Sequence, residues 1–135
     1  RYRFEVAPTL GALNYTSVLA DYRRYFMPAS LYTFAGRVMH YGRYGSGGED
    51  PRLFPLYLGY PTLVRGYDVT RFNASDCVGD GGQCVTIDRL TGSRMLVGNL
   101  EFRFPLLRPF GHSAAGAYGP VPIEVALFAD GGVAW

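Results

Sequence analysis

At 135 residues the chain has the length of one ordinary domain, and a formal net charge of +2 leaves no basic footprint for nucleic acid; no RNA-binding or zinc-finger motif stands out. Aromatic residues make up 16% of it, with 11 Tyr and 9 Phe, a composition that favours strands in a sequence with so little helical periodicity. No run of about 18 apolar residues occurs, which excludes a transmembrane helix but not a spanning strand, for which about 9 to 11 residues of alternating polarity suffice.

The first predicted strand, residues 1–8, sets Tyr2, Phe4, Val6 and Pro8 on one parity and Arg1, Arg3, Glu5 and Ala7 on the other. One face is greasy and the other charged. The chain opens in this strand without a signal peptide, as expected of an internal segment or an excised domain. Residues 13–27 continue the pattern, with Val18, Ala20, Tyr22 and Phe26 opposite Ser17, Asp21 and Arg23. Arg24 falls on the apolar parity, where a long basic side chain can snorkel. Pro28, Ala29 and Ser30 are expected to make a tight turn. Residues 31–44 return more weakly, with Tyr32, Phe34, Gly36 and Val38 opposite Thr33, Ala35, Arg37 and Met39.

Residues 45–94 read as a loop of about fifty residues, a length that in a compact domain signals function or disorder. Within it, FPLYLGYPTLVRGYDVTRF surrounds one arginine, Arg65, with apolar and aromatic groups. A guanidinium does not give up its proton, so such surroundings demand a carboxylate unless the side chain simply stays in water. Further along, Cys77 and Cys84 are the two cysteines of the chain, an even pair in an outward-facing segment that is expected to form a local disulfide in an oxidising compartment. Two thiolates without a nearby histidine fall short of a metal site. Asp50, Asp76, Asp80 and Asp88 lack EF-hand spacing and read as solvated charges.

Residues 95–106 give the cleanest alternation, with Leu96, Gly98, Leu100, Phe102, Phe104 and Leu106 against Asn99, Glu101 and Arg103. A small-residue turn is expected at 111–120. In residues 121–131, Val121, Ile123, Val125, Leu127 and Ala129 then oppose Pro122, Glu124, Ala126, Phe128 and Asp130. The last residues, GGVAW, show no closing element. His40 and His112 have no nucleophile and acid partner, so neither catalysis nor a cofactor is expected. The glycosylation-type triplets at Asn14 and Asn73 are short enough to arise by chance.

Two all-β architectures produce this pattern: a soluble sheet with one buried face, or an antiparallel meander in a membrane barrel, apolar toward lipid and polar toward a lumen. Strand length favours the barrel, because these runs reach about 10 to 15 residues where soluble strands centre on about 5 or 6. If the loop folds into the polar interior, Glu101 and Asp130 are placed to receive Arg65. Both lie on the polar parity of successive strands, about 4.8 Å apart, and a planar guanidinium is suited to bidentate pairing.

Val64-Arg65-Gly66-Tyr67, then NLEFRFP at 99–105, then LFADGG at 127–132 resemble three motifs, in the same order and spacing, of the bacterial surface antigen D15 domain, the C-terminal barrel of the Omp85 superfamily. The similarity runs over essentially the whole chain. It implies a segment of an outer-membrane barrel of about 16 strands, of which this chain would supply about five, the ninth to the thirteenth. It implies a loop tip at Val64, Arg65, Gly66 and Tyr67, folded into the lumen, with Glu101 and Asp130 as the acidic partners of Arg65. The function expected from it is non-enzymatic. It is insertion of outer-membrane proteins, or translocation of polypeptide or lipid, in the bacterial outer membrane, with membrane lipid and client polypeptides as partners. The wording LYLGYPTLVRGYDV is most similar to D15 barrels joined to other periplasmic modules, for which a passive pore or membrane anchor is the alternative role. A soluble ligand-binding barrel or sandwich is the remaining class.

Overall fold

The computed structural model describes residues 1–29, 32–67, 88–107 and 123–135, with the side chains of 106 and 107 left aside. Its strands are β1 (Tyr2–Thr9), β2 (Tyr15–Ala29), β3 (Tyr32–Tyr44), β4 (Leu56–Tyr57), β5 (Thr91–Gly92), β6 (Arg94–Leu107) and β7 (Ile123–Ala134). Five of them form one sheet in the order β1-β2-β3-β6-β7, every neighbouring pair antiparallel. The short pair β4-β5 stands apart as its own ribbon, on the connector between β3 and β6.

Alternation fixes the faces, because one register runs through the whole sheet. The row Asp21, Met39, Val97, Gly132 is followed by Arg23, Arg37, Asn99, Asp130 and then by Tyr25, Ala35, Glu101, Phe128. These rows make the charged face predicted from the odd and even positions. Between them, on the opposite face, lie the rows Tyr22, Val38, Gly98, Gly131 and Arg24, Gly36, Leu100, Ala129.

The covered face is the charged one. Residues of the connector lie over it, and the buried cluster of the described residues joins Leu58, Val64 and Leu90 of the connector to Met39, Met95 and Val97 of the sheet. Val97, on the parity opposite the greasy residues, is 0% exposed. The apolar face is bare by contrast, with Phe4 68% and Leu100 66% exposed.

Three local expectations need correction. Pro28 and Ala29 do not turn the chain; β2 runs on to Ala29, with a register shift between Phe26 and Ala29. A proline cannot donate to the ladder, and an irregularity of this kind lets the strand pass it. Pro105 sits beside a similar shift in β6. The last strand likewise runs past its expected bound at Gly131, since Gly132, Val133 and Ala134 pair with Val97, Leu96 and Met95. Here the ladder on β6 overrides the poor strand propensity of glycine. The connector is also less open than its composition implies, because it holds β4, β5 and a chain of turns, and Arg94 already belongs to β6. Ser30 and the expected turn at 111–120 lie outside the described residues.

Candidate functional site

The connector reaches the charged face through a tight turn. Leu63 and Val64 both donate their backbone N–H to the carbonyl of Tyr60, at 2.9 and 3.0 Å, a turn for which Pro61 supplies a preset φ. Val64 is buried and anchors the tip in the apolar cluster. Gly66 follows with φ +95°, a left-handed conformation that a side chain would strain and that turns the chain away again. Between the anchor and the turn, Arg65 is left pointing at the sheet.

There it meets the two expected carboxylates together. Asp130 accepts from Arg65 Nε at 2.6 Å and from Nη2 at 2.9 Å, and its Oδ2 also accepts from the Arg65 backbone N–H at 3.0 Å. Glu101 accepts from Arg65 Nη1 through its Oε2. The guanidinium lies 4.1 Å from the centre of the Phe128 ring, so both its edge and its face are engaged. The side chains of Arg65, Glu101 and Asp130 are 33%, 14% and 2% exposed. The bonds to Asp130 first, and then those to Glu101, raise the pKa of Arg65 further above its ordinary value.

The clamp belongs to a wider lattice. Glu101 Oε1 takes a second arginine, Arg103, from its own strand. One row closer to the apolar cluster, Asp21 accepts from Arg23 at 2.8 and 3.2 Å and from Arg37 at 3.0 and 3.1 Å. Two sheet side chains also hold the backbone of the tip: Asn99 Nδ2 donates to the Leu63 carbonyl at 2.8 Å, and Arg37 Nη1 to that of Thr62 at 3.3 Å. Parity alone would have nominated Asn99 and Arg37. Phe128 carried a weaker signal, an aromatic ring on the charged parity two residues before Asp130. Nothing local marks the contact between Leu58 and Gly132. A Cβ at Gly132 would stand 2.9 and 3.0 Å from the two Leu58 methyls, so this glycine leaves the space into which the connector packs.

The remaining candidates separate from this site. Cys77, Cys84, Asp76, Asp80, Asn73 and His112 lie outside the described residues. Asp50 is chelated by Arg52, whose hydrogen bonds hold its carboxyl down to about 2. His40 shares a 2.6 Å hydrogen bond with the Tyr44 hydroxyl and stacks on Trp135, on the bare face. Among the described residues no group of three or more His, Cys, Asp or Glu is placed to hold a metal, and no helix is long and apolar enough to cross a membrane. Chemically the site is a fixed lattice of ion pairs, with each acid shared between two cations or gripped at both oxygens by one. Compared with protein-family models, curated proteins and solved structures, the chain matches none.

Proposed function

We propose that this chain is a segment of a bacterial outer-membrane β-barrel of the Omp85 type, which inserts outer-membrane proteins or passes polypeptide or lipid across that membrane. The observation that carries this reading is the inversion of the sheet: a connector covers the charged face while the apolar face is left bare. A soluble sheet buries its apolar face, whereas a membrane barrel turns that face to lipid and fills its lumen with polar groups.

The bare face also has the layout of a bilayer-facing band. Phe34 stacks on Phe102, and Phe102 on Phe104, near the β2-β3 hairpin. Tyr44, His40 and Trp135 cluster toward the other end. Phe34 and Tyr44 lie ten residues apart on β3; at about 3.3 Å per residue and a tilt of about 40° that is a rise of about 25 Å, the height of the apolar band between two aromatic girdles. Strands of 15, 13 and 14 residues supply the length.

In this role the chain does no covalent chemistry. The clamp of Arg65 on Glu101 and Asp130 pins the connector inside the lumen and ties β6 to β7. That stiffens the wall near the seam where client strands would add by edge pairing. The test is Arg65→Ala in the intact protein, scored by the folded-to-unfolded gel shift on heating and by insertion of a client barrel into vesicles. Loss of both is expected. An unchanged gel shift with unchanged insertion would remove the assembly role. Conductance in planar bilayers with no effect on client insertion would point instead to a pore or anchor for a fused periplasmic module.

A further inference from the structure

On the bare face one side chain breaks the apolar rule. Arg24 stands on the greasy parity of β2, in the row Arg24, Gly36, Leu100, Ala129, next to the row Phe26, Phe34, Phe102, Leu127. It is exposed, and it makes no hydrogen bond or ion pair among the described residues. Arg94, also on this face, is differently placed: it lies 4.7 Å from the Tyr44 ring centre and 3.6 Å from Glu49.

The surface beside Arg24 is hollow. A depression of about 510 Å³ is lined by Arg24, Phe26, Phe34, Gly36, Leu100 and Phe102, among others. Its floor exists because the row partner next to Arg24 is a glycine and the one at the far side an alanine. Gly36 is not needed for backbone reasons, since its φ is ordinary and an added Cβ would meet only the Leu100 side chain, at 3.7 Å. A cation without a partner among the described residues, at the wall of a groove of rings and methyls, matches a molecule with an anionic head and an aliphatic tail.

We propose that Arg24 and the Gly36 hollow form a binding site for an anionic glycerophospholipid, with the guanidinium on the phosphate and an acyl chain along the rings. This rests on the membrane reading above. The leaflet follows from the connector: long loops of such barrels lie outside and short turns inside, so the β3-β6 connector marks the outer side. Arg24 lies toward the opposite end, one row from the Phe26, Phe34 and Phe102 girdle, where a long basic side chain reaches the headgroups of the inner leaflet. Arginine is also the side chain whose fork suits phosphate.

The experiment uses the intact protein, folded in detergent micelles supplied with phosphatidylcholine, phosphatidylglycerol and lipopolysaccharide, with retained lipids counted by native mass spectrometry. Folding is scored separately by the gel shift on heating. Wild type should keep phosphatidylglycerol in preference to phosphatidylcholine. Arg24→Gln should lower that preference several-fold with folding unchanged, Arg24→Lys should keep part of it, and Gly36→Leu should reduce lipid retention with the cation still present. Equal retention by wild type and Arg24→Gln, or a preference for lipopolysaccharide over phosphatidylglycerol, overturns the site. Failure of the wild-type protein to show any gel shift in lipid overturns the barrel reading, and this site with it.

Discussion

Arg65 and its two acids are not equivalent partners, and the difference is open to measurement. Asp130 engages the guanidinium at both oxygens and also takes the Arg65 backbone N–H, and it is almost wholly buried. Glu101 gives Arg65 one oxygen and keeps Arg103 on the other. Neutralising Asp130 therefore leaves Arg65 with half a partner, whereas neutralising Glu101 leaves the stronger half intact. Asp130→Asn should lower the urea midpoint of the folded protein more than Glu101→Gln. Arg65→Ala should exceed both, because it strands a buried carboxylate at a cost toward the lower end of the about 3 to 5 kcal/mol typical of such breaks, Arg65 itself being one third exposed. Arg65→Lys keeps the charge but cannot hold Nε, Nη1 and Nη2 contacts at once, and should fall between wild type and alanine. A larger effect from Glu101→Gln than from Asp130→Asn would mean that the tip is held mainly from β6.

At the level of elements, the connector stays on the charged face through shape as much as charge, and Gly132 is where shape decides. A Cβ there crowds the end of Leu58, a flexible side chain, and also the Leu96 carbonyl at 3.1 Å. Gly132→Ala should be absorbed in part by a rotation of Leu58, while Gly132→Val should lift the connector. Hydrogen exchange reports the difference at the Leu58 amide, bonded to the Leu90 carbonyl at 2.8 Å, and at Leu63 and Val64. Exchange at these amides as slow in Gly132→Val as in wild type would show that the ion pairs alone hold the connector. Gly66 acts differently, since a Cβ there has open space and only the φ of +95° resists it. Gly66→Ala should cost about 1 to 2 kcal/mol without displacing Leu58. This division also explains what was legible in the sequence. Parity along β1, β2, β6 and β7 places Glu101 and Asp130 on the arginine's face, because alternation is a local property of a strand. The fit of Leu58 to Gly132 joins positions far apart in the chain and leaves no local trace. Pro28 and the Gly131-Gly132 pair misled for the same reason, since ladder partners rather than the residues themselves keep those segments extended.

For the molecule as a whole, the bare face and the open edges pose one problem, and the barrel proposed above would solve it. The sheet ends at β1 and at β7, each with a ladder edge that pairs with nothing among the described residues. In hydrocarbon such edges are intolerable, because each unpaired backbone group costs several kcal/mol, so spanning strands occur in closed barrels. In water the edges could be solvated, but the apolar face could not, and exposed strands with apolar faces aggregate. Residues 1–135 expressed alone should therefore precipitate without detergent. Added to vesicles, they should remain open to trypsin along β2, β3 and β6, which carry Arg23, Arg24, Arg37 and Arg103. On the barrel reading, the same strands should be protected when neighbouring strands close the wall. A soluble, monodisperse 1–135 on a sizing column would mean that the greasy face has a cover of its own, and the sheet would then be the inverted half of a soluble fold. Protection in vesicles without additional strands would imply that several copies close the wall together, which cross-linking between the β1 edge of one copy and the β7 edge of the next would reveal.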